Sequence, residues 1–354
     1  MRSMDRIHMA RAVRLARLGL YTTGPNPRVG CVLVANGEVV GEGWHRRAGE
    51  PHAEVIALSQ AGMRASGATA YVTLEPCCHH GRTPPCTDAL IAAGVGRVVA
   101  AMVDPNPLVS GRGMERLAGA GILVESGLLA EEAGSLHPGF VKRMSERRPY
   151  CRCKLAASLD GRTAMASGES KWISSEPARR DVHRLRAQSG AIVTGVGTVL
   201  ADDPAFTVRL EAGALEGLGP DDLTPQPLRV VVDGQLRTPP AARMLRLPGE
   251  VAIACMEGPG TASARALTAA GARVVALPAS HGRVDLCALM AWLADREVNE
   301  VLVESGPTLA GAALAAGIID ELILYLAPHL MGDDGRGLFH LPGIERMEHR
   351  IPLR

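Results

Sequence analysis

The sequence has 354 residues, a length at which one hydrophobic core usually stops growing and a chain divides into two domains. Its composition, 47% hydrophobic and 21% charged with 40 glycines, is typical of an α/β enzyme and excludes a disordered or fibrous protein. A net charge of +1 and 3% aromatic residues argue against a nucleic-acid surface, which needs a concentrated basic patch. No apolar run reaches membrane-spanning length. We therefore expect small-molecule substrates, with neither a nucleic acid nor a membrane as partner.

The eight cysteines are distributed unevenly along the chain. Cys77, Cys78 and Cys86 lie close together beside histidines, whereas the others are scattered through apolar segments. In a long chain, such a cluster indicates a metal site in a reducing cytoplasm rather than a disulfide framework. Residues 9–20 have apolar side chains at helical spacing and lack the features of a signal peptide, so they are predicted to form the first helix.

Secondary-structure signals alternate in the first part of the chain. Residues 29–40 form two apolar runs around Asn36-Gly37, a dipeptide that accepts the positive φ angles of a tight hairpin turn. The elements predicted next are a helix near 52–65, a strand at 70–74, a helix near 86–93 and a strand at 98–103. This alternation predicts a three-layer α/β domain.

A domain boundary is predicted in the charged segment 142–150, which contains a helix-breaking proline. The chain is accordingly divided into residues 1–147 and 148–354. A second alternating pattern follows the boundary, and its predicted strands are 191–193, 229–233, 251–254, 301–304 and 322–327. Residues 211–227 are predicted to form a long mobile loop.

Four residues of the first domain have the chemistry and the spacing of a catalytic metal site. Pro51 precedes a helical pattern, so His52 and Glu54 are expected in its first turn. Cys77 follows a strand directly, and Cys86 begins the next helix, whose N-terminus favours a thiolate. One imidazole and two thiolates leave the fourth zinc position open for water, and Glu54 is placed to transfer protons.

The order His-x-Glu, then Pro-Cys and a second cysteine, is the signature of zinc deaminases that act on nucleobases. Two residues separate the cysteines in that signature, whereas eight separate Cys77 from Cys86. Cys78, His79 and His80 are rival ligands. A structural site with four ligands, including Cys78 or His79, therefore stays an alternative.

Longer stretches carry a more specific resemblance. The segment LEPCCHHGRTPPC at 74–86, with TTGPNPRVGCV and GEPHAEV before it, resembles the bifunctional deaminase/reductase family of riboflavin biosynthesis, whose cysteines have this wide spacing. The likeness continues through KLAASLDGRTAMASGESKWIS, GVGTVLADDPAFTVR and VESGPTLAGA, so it covers nearly the whole chain. The chain departs from the family at Cys78, where serine is common, and this extra thiol is expected to leave the mechanism intact.

The resemblance implies an α/β protein with an N-terminal cytidine-deaminase-like three-layer domain and a C-terminal dihydrofolate-reductase-like α/β domain. The first would use one zinc ion to replace the 2-amino group of a diaminopyrimidinone that bears a ribosylamino 5-phosphate. The second would use NADPH to deliver hydride to C1 of the ring-opened ribosyl imine, which converts ribosylamino into ribitylamino. A cytoplasmic homo-oligomer is expected.

The same resemblance assigns further residues by motif position. The deaminase substrate would contact Asn26, His45, His79, Arg82, Asp104 and Asn106. The cofactor would contact Ala156, Trp172, Thr198, Asp202, Gly306, Pro307, Thr308, Leu309, Ala310, Gly311 and Ala312. The reductase substrate would contact Ser170, Arg186, Phe206, Arg209 and Glu304, where Arg186 and Arg209 suit a phosphate. Lys154 and Asp202 are the candidates for proton supply to the imine.

Simpler interpretations stay open for several of these residues. Asn26 and Asn106 sit in Pro-Asn-Pro turns and fit a purely turn-forming role equally well. His45 alone is typical of an ordinary surface histidine, and Lys154 paired with Asp202 would suit a structural ion pair. For the whole chain, the alternatives are a deaminase of RNA or free nucleosides with a binding or dimerising second half, and a protein that zinc only braces.

Overall fold

The computed structural model describes residues 2–256 and 261–353. Contacts within the chain divide it into two compact units. The first unit is Met1–Arg148 with Glu211–Pro225, and the second is Pro149–Leu210 with Gln226–Arg354. Among the described residues, no helix combines the length and the apolar character that crossing a membrane requires.

The first unit is built around one mixed sheet. Its elements within the described residues are α1 (Arg2–Arg17), β1 (Gly30–Ala35), β2 (Glu38–Trp44), α2 (Ala53–Ala61), β3 (Thr69–Val72), α3 (Cys86–Ala92), β4 (Arg97–Ala100), α4 (Arg112–Gly119), β5 (Leu123–Ser126), α5 (Ala130–Gly134) and α6 (Pro138–Glu146). The strand order is β2-β1-β3-β4-β5. Strand β1 runs antiparallel to both of its neighbours, and β3, β4 and β5 are parallel.

Buried side chains on both faces of β1 show why this unit has three layers. Cys31 and Leu33 belong to the core on the side of α2 and α3, whereas Val32 and Val34 belong to the core on the side of α1. A strand whose successive side chains point to opposite faces can bury both faces only if helices cover each of them. The predicted three-layer arrangement is confirmed. The predicted hairpin also forms, with positive φ angles at Asn36 and Gly37.

Glycines let two helices lie directly on the strands. A Cβ atom at Gly30 would lie 2.1 Å from the carbonyl oxygen of Ala12 in α1. A Cβ atom at Gly41 would lie 2.2 Å from the carbonyl oxygen of Ala57 in α2. Only glycine permits this approach, which fixes the distance of α2 from β2 and thus the position of the N-terminus of α2.

The second unit contains a larger, parallel sheet. Its elements within the described residues are β6 (Tyr150–Ser158), β7 (Arg162–Ala164), α7 (Glu176–Gln188), β8 (Ala191–Gly195), α8 (Val196–Asp202), β9 (Leu228–Val232), β10 (Val251–Met256), α9 (Thr261–Ala269), β11 (Arg273–Leu277), β12 (Ala279–Ser280), β13 (Arg283–Val284), α10 (Leu286–Asp295), β14 (Glu300–Glu304), α11 (Pro307–Ala315), β15 (Glu321–Ala327) and β16 (Arg336–Gly337). The sheet order is β11-β10-β9-β8-β14-β6-β15, and every pairing in it is parallel. All five predicted strands are present in this sheet, whereas its strands β6 and β11, and the short strands β7, β12, β13 and β16 outside it, were not predicted.

The segment predicted as a long mobile loop is more structured than the sequence indicates. Residues 211–225 begin with a short 3₁₀ turn, Ala212–Ala214, and they belong to the first unit by their contacts. Ala212, Leu215 and Leu218 expose no more than 8% of their surface. Burial of apolar side chains accounts for the ordered path of this segment.

Candidate active sites

Three potential metal ligands converge in the first unit. His52 precedes α2, Cys77 lies beyond the end of β3, and Cys86 is the first residue of α3. The His52 Nδ1 atom lies 3.2 Å from the Sγ atom of Cys86 and 3.6 Å from that of Cys77. The three ligand atoms all lie within 4.8 Å of one another. One imidazole nitrogen and two sulfurs at this spacing fit a zinc ion.

The rival ligands do not join this group. In the described part of the chain, the group consists of His52, Cys77 and Cys86 alone. The Sγ atom of Cys78 instead lies 4.0 Å from the carbonyl oxygen of Leu108. Three protein ligands leave one tetrahedral position open, as in catalytic rather than structural zinc sites.

The two sulfurs differ in their affinity for a proton. A hydrogen bond with Cys86 holds the pKa of Cys77 well below its usual range, and the Cys86 main-chain amide donates a further hydrogen bond to the Cys77 sulfur at 3.3 Å. The same contact with Cys77, together with burial, raises the pKa of Cys86. Because a metal binds cysteine as the thiolate, its binding would release the proton that Cys86 tends to retain.

Glu54 lies in the first turn of α2, beside the sulfurs, and is only 3% exposed. Burial raises the pKa of Glu54 to about 7, and the negative charge of Cys77 acts in the same direction. The Cys86 thiol also hydrogen-bonds with this carboxyl group. A carboxyl group with a pKa near neutrality can both accept and return a proton.

Thr83 belongs to this site, although no feature of the sequence predicted it. Its Oγ1 atom lies 3.2 Å from the Nε2 atom of His52. If Nδ1 binds a metal, the proton of the neutral ring lies on Nε2, which would then donate a hydrogen bond to the threonine hydroxyl. Such a hydrogen bond fixes both the tautomer and the ring orientation of a metal-binding histidine.

His45 is buried, at 2% exposure, and is not a surface histidine. Its Nδ1 atom lies 3.2 Å from the carbonyl oxygen of Pro51, which can only accept, so Nδ1 carries the proton. Its Nε2 atom therefore accepts a hydrogen bond from the side-chain nitrogen of Asn26 at 3.0 Å. The ring centroids of His45 and His52 are 4.9 Å apart, and burial lowers the pKa of His45. Asn26 and His45 thus form a neutral pair beside the metal ligands.

Glu75 is a second residue of this region without a sequence signal of its own. It is 3% exposed and precedes Pro76-Cys77. Its two oxygens accept hydrogen bonds of 2.8 to 3.2 Å from four main-chain amides, those of Asp104, Gly111, Gly113 and Met114. Glu75 thereby ties the segment with the ligand Cys77 to the loop before α4.

The remaining substrate candidates of the first unit differ in their surroundings. Asp104 is buried, which raises its pKa to about 7, and its Oδ1 atom accepts a hydrogen bond from the amide of Asn106 at 2.8 Å. The Asn106 side chain accepts from the amide of Leu108 at 3.0 Å, which supports a turn-forming role. His79 and Arg82 lie on the loop between the two cysteines, where Arg82 is exposed.

A cavity of about 830 Å³ occupies the second unit, with residues of β6, β8, β14 and α7 in its wall. It contains Lys154, Asp202 and all five reductase substrate candidates, namely Ser170, Arg186, Phe206, Arg209 and Glu304. Of the cofactor candidates, it contains Ala156, Trp172, Thr198, Asp202, Gly306, Pro307, Thr308, Leu309 and Ala312. Ala310 and Gly311 are instead buried in α11, where a Cβ atom at Gly311 would lie 2.1 Å from the His340 carbonyl oxygen. Gly311 is thus explained by helix packing.

The wall of this cavity fits a dinucleotide. Gly306 caps the N-terminus of α11, and its amide donates to the hydroxyl of Thr198 at 3.3 Å. Nothing lies within 4 Å of the position that a Cβ atom would take at Gly306 or Gly197. Open space beside a bare glycine backbone and a helix N-terminus suits a pyrophosphate.

The two arginines proposed for phosphate binding are not equivalent. Arg186 forms a two-pronged ion pair with Glu304 at 2.6 and 2.9 Å and donates to the Thr207 carbonyl oxygen at 3.2 Å. Its guanidinium donors are therefore largely occupied. Arg209 is exposed, and no carboxylate of the described residues forms an ion pair with it. Arg209 is the more accessible cation for a phosphate.

Lys154 and Asp202 line the same cavity but do not form the ion pair considered from the sequence. Asp202 pairs with Lys171 at 3.6 Å. The Lys154 ammonium group lies 5.7 Å from the ring centroid of Tyr325. Burial lowers the pKa of Lys154, and the nearby Glu304 carboxylate opposes that effect. A lysine with a lowered pKa is suited to proton transfer.

His183 also lines this cavity, although the sequence marks it only as part of an arginine-rich helix. Its Nδ1 atom accepts a hydrogen bond from the main-chain amide of Arg209 at 3.3 Å. Burial, followed by the charges of Arg186 and Arg209, lowers the pKa of His183 to about 4. The ring is therefore neutral at physiological pH.

Comparisons with known proteins identify the family of each domain. The family model of the cytidine and deoxycytidylate deaminase zinc-binding region matches residues 2–102, and that of the RibD C-terminal domain matches residues 149–352. The riboflavin biosynthesis protein RibD of Escherichia coli is 56% identical over 350 residues, which cover 97% of this chain and 93% of that protein. The chain belongs to the RibD family.

Solved structures of RibD proteins have the same fold. Acinetobacter baumannii RibD superimposes with a TM-score of 0.91 at 45% identity, over 99% of this chain and 94% of that one. A deaminase/reductase from Thermotoga maritima gives a TM-score of 0.80 at 33% identity, over 95% and 90%. As a RibD protein, the chain is an enzyme of riboflavin biosynthesis with a deaminase and a reductase domain, and its cofactors are zinc and NADPH.

Proposed function

We propose that the first unit deaminates diaminohydroxyphosphoribosylaminopyrimidine, the substrate named for the Thermotoga maritima relative. The observation that carries this proposal is the convergence of His52, Cys77 and Cys86 beside the buried Glu54. Water would add its oxygen to the ring carbon, and the bond to the 2-amino nitrogen would break to release ammonia. A zinc ion held by the three ligands supplies a Lewis acid that lowers the pKa of water towards neutrality.

Glu54 would take the proton from the attacking water and return it to the departing nitrogen. Its pKa near 7 suits both transfers at neutral pH. The neutral pair of Asn26 and His45, the buried Asp104, and the loop with His79 and Arg82 would contact the pyrimidine and its ribosyl phosphate. Asn106 would act mainly by shaping the turn that follows Asp104, since its side-chain oxygen is already engaged.

We propose that the second unit then reduces 5-amino-6-(5-phosphoribosylamino)uracil, again the compound named for that relative, from a ribosyl to a ribityl chain. Thr198 and the N-terminus of α11 would hold NADPH, which would supply the hydride for C1 of the ribosyl imine. Lys154 would supply the proton that accompanies it, because burial lowers the pKa of its ammonium group. Asp202 would orient Lys171.

The contacts of the sugar phosphate follow from the ion pairs of the cavity. Arg209 would bind the phosphate, since Arg186 is already engaged by Glu304. Arg186 and Glu304, held in one orientation by two parallel hydrogen bonds, would form a rigid wall for the ribosyl chain together with Phe206, whose ring centroid lies 5.4 Å from the guanidinium of Arg186. Ser170 lies in the same wall.

A coupled assay tests both halves of the proposal. Purified protein, the diamino substrate and NADPH should yield ammonia and NADP together. Glu54→Gln should abolish ammonia release with zinc retained, because the amide cannot carry the proton. Release of ammonia without oxidation of NADPH would overturn the reductase assignment. Full ammonia release by Glu54→Gln would overturn the role of Glu54.

Further features of the molecule complete the proposal. In sequence, the deaminase and reductase domains would comprise residues 1–147 and 148–354, a division supported by family matches that end at 102 and begin at 149. Residues 211–225 lie in the second range but pack with the first unit. A homo-oligomer is supported by the exposed Leu324 and Leu326 on the edge strand β15, and sedimentation velocity would test it.

The eight free cysteines support a cytoplasmic location, and the net charge of +1 supports the absence of nucleic-acid and membrane partners.

A further inference from the structure

Residues 211–225, called the arm here, belong to the first unit although they lie between α8 and β9 in the sequence. The chain leaves the second unit after Leu210 and returns to it at Gln226. Just outside the two ends of the arm, the side-chain amide of Gln226 forms two hydrogen bonds, of 2.9 and 3.0 Å, with the main chain of Val208. The arm thus has fixed ends and a defined path.

The first contact of the arm is backbone against backbone. Gly217 has a φ of +84°, and a Cβ atom there would lie 2.0 Å from the carbonyl oxygen of Leu18. Leu18 opens the loop that leads to Asn26. Within that loop, a Cβ atom at Gly19 would lie 3.0 Å from the carbonyl oxygen of His45. The arm therefore packs on the loop that carries Asn26, and that loop packs on His45.

The second contact of the arm is an ion pair. Asp222 pairs with Arg47 at 2.5 Å, and Arg47 also lies 3.7 Å from Glu50. The other carboxylate oxygen of Asp222 accepts the amide of Gly219 at 2.8 Å, which fixes the turn that presents it. The arm has four carboxylates and neither lysine nor arginine, so its charge complements Arg46 and Arg47.

The two contacts are made to the two loops that carry Asn26 and His45. Gly217 holds the loop 18–26, and Asp222 holds the loop 45–51. The hydrogen bond of 3.0 Å between Asn26 and His45 joins these same two loops. We propose that the arm is a positioning element of the deaminase. It holds the side chains of Asn26 and His45 in the relative position that binding of the pyrimidine substrate requires.

This inference rests on the proposed deamination, and it predicts a specific kinetic change. The metal ligands and Glu54 are supported by α2, α3 and β3, so the arm should affect the Michaelis constant more than the turnover number. Exposed ion pairs contribute little, so the Gly217 contact should have the larger effect. Reduction of the deaminated substrate, which occurs in the second unit, should not change.

Full-length variants with matched controls test the proposal. Gly217→Ala should raise the KM for the diamino substrate roughly 5- to 10-fold, because the new methyl group collides with a main chain. Asp222→Asn should raise it about 2- to 3-fold. The controls are Gly213→Ala, where the nearest atom to a Cβ would be at an ordinary 3.6 Å, and the exposed neighbour Asp221→Asn, and both should keep the wild-type KM.

Zinc content, kcat and NADPH oxidation are measured in parallel and should stay within about twofold of wild type. Arg47→Asp alone should raise the KM. The charge exchange, Arg47→Asp combined with Asp222→Arg, should restore the KM to the wild-type value. A lowered thermal midpoint with unchanged KM in both arm variants would overturn the proposal, because it indicates a structural role only. If Gly217→Ala fails to fold, the Asp222 and exchange variants decide the matter. Absence of ammonia release from wild type would instead refute the proposed deamination.

Discussion

At the scale of single residues, the structure separates the atoms that bind metal from the atoms that orient them. The His52 ring uses one nitrogen towards the two sulfurs and the other towards the hydroxyl of Thr83. A histidine without that second partner can rotate and can adopt the wrong tautomer. The hydroxyl of Thr83 therefore belongs to the metal site through its hydrogen bond with the ligand His52.

Thr83→Val removes this hydroxyl with little change of shape. We expect zinc affinity to fall about 10- to 100-fold, because the ring of His52 loses the hydrogen bond that orients it. The measurement is competitive titration of zinc against a chromophoric chelator. Thr87→Val is the matched control, since its buried hydroxyl has no hydrogen-bond partner and its side chain lies on the adjacent turn. Equal affinities of the two variants would refute this role of Thr83.

His183 allows a prediction of pH dependence. Its pKa is lowered from 6.5 to about 4 in the folded protein. Between these pH values the unfolded chain binds a proton that the folded chain does not, so acidification favours unfolding. Above pH 6.5 the ring is neutral in both states, and below about 4 it is charged in both, so its contribution to the pH dependence is confined to that window.

His183→Asn should therefore weaken the fall of the thermal midpoint between pH 6.5 and 4, while an oxygen acceptor stays available to the amide of Arg209. Differential scanning calorimetry at several pH values measures the slope. His281→Asn, an exposed histidine of the same unit with a positive φ that asparagine accepts, should keep the wild-type slope. A parallel slope in His183→Asn and wild type would contradict the prediction.

The residues that sequence could identify are those whose partners follow from local spacing. His52 and Glu54 are two residues apart at a helix start, and both cysteines have a strand or helix beside them as a guide. Glu75 and His183 have no such guide. Glu75 bonds to amides 29 to 39 residues away, and His183 meets Arg209 across 26 residues, so only the folded chain brings these partners together.

At the scale of elements, the position of α2 decides where His52 and Glu54 lie. Gly41 brings β2 into contact with the main chain of this helix at Ala57. The sequence shows a glycine in a strand, which fits a bulge as well as a close approach, so the contact could not be predicted. Packing of a helix against a strand depends on elements that are distant in sequence.

Gly41→Ala tests the importance of this contact. The added methyl group would lie 2.2 Å from the Ala57 carbonyl oxygen, so α2 must move away from β2. We expect a destabilisation of about 1–3 kcal/mol and a loss of ammonia release, because His52 and Glu54 move with the helix. Chemical denaturation and the ammonia assay measure the two effects.

The control for that substitution is Gly119→Ala in α4. No atom lies within 4 Å of the added Cβ position there, and the residue is exposed. Alanine favours the helix over glycine by up to about 1 kcal/mol, so this variant should be as stable as wild type or slightly more so. Equal behaviour of the Gly41 and Gly119 variants would show that α2 tolerates displacement.

Element type was predictable where periodicity is strong, and less so elsewhere. Four of the five predicted strands of the second unit, β8, β9, β10 and β14, are short apolar runs buried between helices, whereas the edge strand β15 exposes Leu324 and Leu326. Strand β6 was not predicted because its sequence, YCRCKLAAS, places arginine and lysine among small residues and therefore lacks a continuous apolar run. Arg152 is nevertheless buried there, and it pairs with Glu300 and Glu321 on the two neighbouring strands. Ion pairs between strands satisfy these charges, and a single strand does not reveal them.

At the scale of the whole molecule, a segment's position in the sequence does not always tell which unit it belongs to. The arm is part of the first unit although about sixty residues of the second unit, Pro149–Leu210, precede it in the sequence. Local composition predicted a loop because the arm is rich in glycine, proline and acidic residues. Its contacts are with Leu18 and Arg47, which are far away in sequence, so no local pattern could indicate them.

The two sets of functional residues nevertheless stay separate. Every metal ligand lies in the first unit, and every residue that lines the large cavity lies in the second. Zinc removal by a chelator should therefore abolish ammonia release, while oxidation of NADPH with the deaminated uracil substrate keeps its wild-type rate. Added zinc should restore ammonia release in the wild type but not in Glu54→Gln. The thermal midpoint of the chelated protein shows whether the first unit stays folded. Loss of both activities on chelation, with that fold retained, would mean that the reductase needs the metal site, a dependence for which the residues of the cavity offer no physical cause.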